Sequence, residues 1–217
     1  MRITHLGHSC LLVELADRRI LIDPGSFSSG FEDLTDLDAI LVTHQHGDHL
    51  DLKRLPALVR ANPGTALHAD PMSAALLAEV GLSVRALEQG SDRSVGEVQI
   101  RPVGAVHAFN HAWVPTVANV GVHLVAPGEP SLFHPGDAYD GEPGDVDVLA
   151  VPINAPWCAV RDSIDFVRRI APRSMVPIHD GLVAPLGRAL YLSHIAANGG
   201  TDLTLNDLVG QGAVTIA

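Results

Sequence analysis

Thr43-His44-Gln45-His46-Gly47-Asp48-His49 carries four side chains able to bind a metal, His44, His46, Asp48 and His49, within seven residues. Neither a core nor a solvated surface calls for that density, and the spacing gives it a geometry. In an extended segment leaving a strand, His44 and His46, two apart, point to the same side. Gly47 permits a sharp turn, after which Asp48 and His49 open a new element and face a second point close by. A single catalytic zinc can be built from three protein ligands and a water. Four donors on one loop therefore indicate two metals, about 3.5 to 4 Å apart as in two-metal hydrolases, with further ligands supplied from elsewhere in the chain.

The flanks agree. Ala39 to Val42, just before the loop, reads as a buried strand. Leu50 to Ala61, just after it, has helical spacing of leucines and a proline, Pro56, placed in the first turns or at a kink. A ligand loop at the carboxyl end of a strand is where open α/β sheets put their sites.

With 217 residues, the chain has room for one sizeable domain, taken as residues 1–217. Its 47% hydrophobic and 18% charged residues fit a globular protein with a large buried sheet. Apolar runs such as Val148 to Val151 fall far short of the roughly 20 residues of a membrane span. The amino terminus goes directly into a strand pattern, which is unlike a signal peptide, so a cytoplasmic location is the default. Two distant cysteines, Cys10 and Cys158, indicate neither a disulfide framework nor a thiolate zinc site. A formal net charge of −11 argues against a nucleic-acid groove. It still permits a small-molecule substrate, an anionic one included, because two divalent cations make a pocket locally positive. Oligomeric state has no signature here.

Strands are predicted at Arg2 to Leu6, Cys10 to Leu15 and Arg19 to Ile22, the third stopped by Asp23-Pro24-Gly25. After the loop and its helix come a strand at Ala66 to Ala69, a helix from Pro71 to about Val80 ended by Gly81, and a strand meander from Ser83 to Val106. Further strands are predicted at Val117 to Val125, Ser131 to Phe133, Asp147 to Val151, Ser174 to Ile178 and Ala213 to Ile216. Helices are predicted at Arg161 to Ile170 and Pro185 to Ala197. Strand runs followed by strand and helix alternation, once in each half, give an α/β fold of two mixed sheets packed together with helices outside.

Three more donors stand at or just after predicted strand ends: His107, Asp137 and His179. Each is weak alone, but with the loop they complete the order His-x-His-x-Asp-His, His, Asp, His. In that order the chain resembles the metallo-β-lactamase superfamily. Ile3 to Cys10, Leu21 to Pro24, and the stretches Val151-Pro152-Ile153 and Pro177-Ile178-His179 are similar to its small bacterial hydrolases, the branch near ascorbate-6-phosphate lactonase and the phospholipase D-like N-acylphosphatidylethanolamine hydrolases. The resemblance implies an αββα sandwich with the site at one edge between the sheets. It implies His44, His46 and His107 on a first metal, Asp48, His49 and His179 on a second, and Asp137 bridging both. Two positions depart from the family: His134-Pro135 precedes Gly136-Asp137 where a small or hydroxyl residue is usual, and Asp180 follows His179 in place of an aromatic residue. The donors are intact, and the substrate stays open.

The expected chemistry is hydrolysis of an ester, lactone or phosphodiester by a metal-bridging hydroxide, with Asp48 orienting the nucleophile. Zinc is the first choice of metal, with manganese or iron as alternatives, since imidazole and carboxylate suit all three. Asp23 is a candidate acceptor for a ligand imidazole. His8, His111 and His134 are candidate pocket residues, whereas His5, His68, His123 and His194 read as structural or exposed. Trp157 reads as either the floor of the substrate site or a packing residue. Two other functions fit the same donors: mononuclear iron oxidation chemistry and metal binding without turnover.

Overall fold

The computed structural model describes residues 1–216; Ala217, the last residue of the expected domain, lies outside the described residues. The chain opens with β1 (Arg2–His5), β2 (Leu11–Leu15) and β3 (Arg18–Ile22), an antiparallel run, and continues through β4 (Ala39–Val42), α1 (Leu55–Ala61), β5 (Ala66–Ala69), α2 (Pro71–Glu79) and β6 (Arg85–Ala86), whose strands pair in parallel. It then crosses to a second sheet with β7 (Arg93–Val95), β8 (Val98–Val103), β9 (Gly121–Val125), β10 (Leu132–His134) and β11 (Val148–Pro152). After α3 (Val160–Ile170) come β12 (Ser174–Ile178), α4 (Pro185–Asn198) and β13 (Thr204–Leu205). Finally β14 (Ala213–Thr215) returns to the first sheet beside β1. Each sheet has seven strands, in the orders β14-β1-β2-β3-β4-β5-β6 and β13-β12-β11-β10-β9-β8-β7.

Side chains that alternate along each strand divide between two cores. Leu11, Val13, Leu15, Ala39 and Leu41 join Val148, Ala150, Val176 and Ile178 in the layer between the sheets. Their neighbours Leu12, Ile40 and Val42 face outward onto Leu55, Leu58 and Leu77 of α1 and α2. On the other flank Leu149, Val151 and Met175 meet Phe166, Val167, Leu192 and Ile195 of α3 and α4. Three apolar layers between four layers of structure make the αββα sandwich that the residue pattern and the resemblance led one to expect.

Three local expectations are corrected, and one element was not foreseen. The helix predicted from Leu50 begins at Leu55, because the Asp51 carboxylate accepts from the Lys53 and Arg54 amides and holds a turn, and Pro56, which lacks an N–H, falls in the first helical turn. Ser83 to Val106 is no meander: β6 pairs with β5 in the first sheet and β7 begins the second, so the segment carries the chain from one sheet to the other. The strand predicted from Val117 starts at Gly121, preceded by an isolated bridge between Val106 and Ala118. Gly121 is obligatory, since a Cβ there would lie 2.9 Å from the Phe133 ring. β13, two residues long, is too short for any periodicity to betray.

Candidate metal centre

Every predicted donor stands in the loop at or after a strand's carboxyl end: His44, His46, Asp48 and His49 after β4, His107 after β8, Asp137 after β10 and His179 after β12. The structure brings all seven together. His44, His46, His107 and Asp137 present ligand atoms within 4.8 Å of one another, as do Asp48, His49 and His179, joined there by His8. Asp137 stands between the groups, with its oxygens 3.0 Å from His49 Nε2, 3.1 Å from His179 Nε2 and 3.4 Å from His107 Nε2.

The hydrogen bonds behind the imidazoles settle which ring nitrogen faces inward. His49 Nδ1–H donates to Asp23 Oδ2 (2.7 Å), His107 Nδ1–H to the Ala108 carbonyl (2.7 Å) and His179 Nδ1–H to the Asn154 carbonyl (2.6 Å). The Thr43 hydroxyl donates to Asp23 Oδ2 at 2.7 Å and so accepts from His44 Nδ1–H at 3.1 Å. An imidazole that donates from Nδ1 offers its Nε2 lone pair. In accord with that polarity, Nε2 of His44, His49, His107 and His179 and Oδ1 of Asp137 are buried without hydrogen-bond partners. Five unpartnered buried atoms converging on one space would be costly in themselves, and they fit divalent cations, which would use those lone pairs.

The electrostatics point the same way. Burial disfavours a charge on His49, yet the carboxylates of Asp137 and Asp23 outweigh it and hold its pKa well above the ordinary imidazole value. Asp137 is likewise buried, which opposes its charge, and the surrounding His49, His107 and His179 imidazoles keep its carboxyl well below the usual range. Burial opposes the charge on Asp48 too; the hydrogen bond from His8 and the nearby His49 lower its pKa to about 2. For His44 the Asp137 carboxylate is outweighed, and burial followed by the neighbouring His49 depresses its pKa well below 6.5. Carboxylates stay ionised around a space that attracts positive charge.

Two glycines let the supports close up. A Cβ on Gly25 would fall 1.8 Å from the Asp48 carbonyl oxygen, so the Asp23 turn can back the histidine loop only with glycine there. Gly136 has φ +63 and would put a Cβ 2.2 Å from Asn119 Oδ1, the atom that accepts from the Asp137 amide. Asn119 was missed by the sequence reading: it lies between elements, and nothing in its neighbours marks it.

Other candidates sort by contact. Asp23 accepts from His49 and Thr43, as anticipated for a ligand's supporting acceptor. Trp157 does more than either role foreseen for it: its indole Nε1–H donates to Asp137 Oδ2 at 3.0 Å while its ring lines the cleft. His134 is not a pocket residue; it is fully buried behind the Asp137 turn, bonded to the Ser9 carbonyl and the Gly136 amide. His111 is exposed and outside the cleft lining. Asp180 holds Arg188 at 2.7 Å, which also pairs with Asp207, so it anchors α4 outside the cleft. The cleft above the donors is about 400 Å³ and is walled by Ser26, Phe27, Asn110, Pro156, Trp157 and Leu182. Among the described residues no lysine or arginine lines it.

Comparison with known proteins supplies an independent line. A model of the β-lactamase superfamily domain matches residues 2–179, from β1 to the last donor. A Mycobacterium tuberculosis protein, Rv0786c, is 43% identical over 217 residues, covering 99% of this chain and all of its own. A Pyrococcus furiosus protein named as a metal-dependent hydrolase is 30% identical over 86% of this chain and 87% of its own. Among solved structures, the metallo-β-lactamase fold protein YhfI of Bacillus subtilis superposes with a TM-score of 0.72 at 12% identity, covering 95% of each chain.

Proposed function

This chain belongs to the β-lactamase superfamily and is a metal-dependent hydrolase, and we propose that it holds two divalent cations, zinc by first preference, and cleaves an uncharged ester or lactone bearing an apolar arm. His44, His46 and His107 would hold one cation, Asp48, His49 and His179 the other, and Asp137 would face both. The observation that carries this reading is the convergence of unpartnered Nε2 and Oδ1 atoms whose opposite nitrogens are tied down. When bound, the cations would supply an activated water and a positive counterpart to charge developing on the scissile group.

The protein's own residues do the rest. His49 is fixed by Asp23, and His44 through Thr43, so both rings are pre-set. Asp48, ionised and reached from the cleft, orients the nucleophile's proton. Phe27 and Leu182, about half exposed at 48% and 53%, and Trp157 give an apolar substrate arm a surface to leave water. An anionic group beyond the scissile one would find no cationic side chain in that wall and would meet a chain of net charge −11, which favours an ester or lactone whose remaining parts are uncharged. A cytoplasmic setting belongs to the same reading, since Cys10 and Cys158 are both free.

Elemental analysis combined with a panel of neutral esters, lactones and phosphodiesters tests the proposal. His46→Ala and Asp137→Ala should each lose metal and turnover together, and the wild type should prefer neutral substrates. Stoichiometric metal with full activity in either variant would refute the assignment; a preference for phosphodiesters would refute the substrate class alone.

A further inference from the structure

His8 lies close enough to Asp48, His49 and His179 to be counted as a fourth donor to the second cation. Its hydrogen bonds have the opposite polarity to those of the donor histidines. The Gly181 amide donates to His8 Nδ1 at 3.1 Å, so Nδ1 carries the lone pair and the ring proton sits on Nε2. That Nε2–H points at Asp48 Oδ2, 3.1 Å away. His44, His49, His107 and His179 turn a lone pair toward the centre; His8 turns a hydrogen.

The backbone is committed to this arrangement. His8 is buried at 1% exposure in the turn between β1 and β2, with φ +53. Its carbonyl accepts from the His179 amide at 2.9 Å, and His179 itself has φ +61. Two non-glycine residues in the left-handed region, bonded to each other, carry a local cost that surrounding structure must maintain. The rings of His8 and His179 lie against each other with centroids 4.0 Å apart. Gly181 completes the fit, since a Cβ there would sit 3.0 Å from His8 Nδ1.

We propose that His8 is not a metal ligand but a positioning residue, whose Nε2–H holds Asp48 at Oδ2, the oxygen that also lies 3.6 Å from His179 Nε2, and so presents that carboxylate to the second cation. The inference rests on the dinuclear reading above. Asp48 needs such a support because its side chain is the most open carboxylate of the cluster, 21% exposed against 5% for Asp137. Without the His8 contact it can rotate into the cleft, and the second site then pays the ordering of that side chain when it loads.

Nitrogen-15 NMR of the histidine rings, with and without zinc, reads the tautomer directly. His8 should show a protonated Nε2 and a bare Nδ1 in the metal-free protein and keep them after loading, whereas the donor histidines change at Nε2. A His8 Nε2 that loses its proton to zinc overturns the proposal, and so does a proton on Nδ1 in the metal-free chain. Two variants divide the contacts. His8→Asn tolerates the left-handed backbone and can still accept from Gly181, but it falls short of Asp48. His8→Gln reaches the Nε2 position. Competition with a chromophoric chelator should show the second zinc weakened by about 10–100-fold in His8→Asn with the first unchanged, and a partial recovery in His8→Gln. Equal loss of both zincs, or loss of neither, overturns the role. Failure of the wild type to bind zinc would instead strike the metal-centre reading, and the metal-free NMR result would still decide the tautomer.

Discussion

Asp23 is the residue that supports both halves of the centre. Its Oδ2 takes hydrogens from His49 and from the Thr43 hydroxyl, and its Oδ1 takes the Thr43 amide, all within 2.8 Å in a fully buried setting. One carboxylate thus sets the tautomer of two histidines, His49 directly and His44 through Thr43. Asp23→Asn keeps the volume but turns an acceptor into a donor where only donors arrive. Metal affinity should fall by about 10–100-fold, measured by chelator competition, with a near-native circular dichroism spectrum. Unchanged affinity would mean that the ligand rings orient themselves. The sequence pointed to Asp23 because it ends a strand before Pro24-Gly25; that it serves two histidines follows from a hydroxyl relay which no spacing announces.

At the scale of elements, β5 and β6 show how pH should act away from the centre. His68, in β5, is buried, and its pKa is lowered to about 4, first by burial and then by the charges of Arg93 and Arg85. A histidine with a lowered folded pKa supports the fold above its unfolded value near 6.5, and that support is lost as the pH falls toward about 4. Urea midpoints should therefore drop between pH 6.5 and 4, and His68→Leu should flatten that slope; the same slope in the variant would exclude His68 as its source. Element reading had uneven success for physical reasons. β4, buried along its whole length, was legible as a continuous apolar run. The stretch through β6, β7 and β8 misled, because strand character in sequence does not say which of two sheets a strand joins.

For the whole molecule, the donors are divided between the sheets: four follow a strand of the first, and His107, Asp137 and His179 follow strands of the second. Cations bound there would tie together two layers otherwise held by the apolar core between them. A ligand that binds only the folded state adds about 2.7 kcal/mol at one hundred times its Kd. Chelation should accordingly lower Tm, and the Tm of the reloaded protein should rise with free metal concentration. A Tm indifferent to metal would argue against the centre. Sequence by itself determined the chemistry of the donors, their order and the strand ends that carry them, because residue type and a two-residue period are local properties. Only tertiary structure decided that His8 meets the Gly181 amide and Asp48, that His134 is a buried support, and that Phe27, Trp157 and Leu182 wall the cleft with no lysine or arginine among the described residues lining it. Those outcomes depend on which backbone groups from distant segments meet each side chain, and that is fixed by packing two sheets face to face rather than by any spacing along the chain.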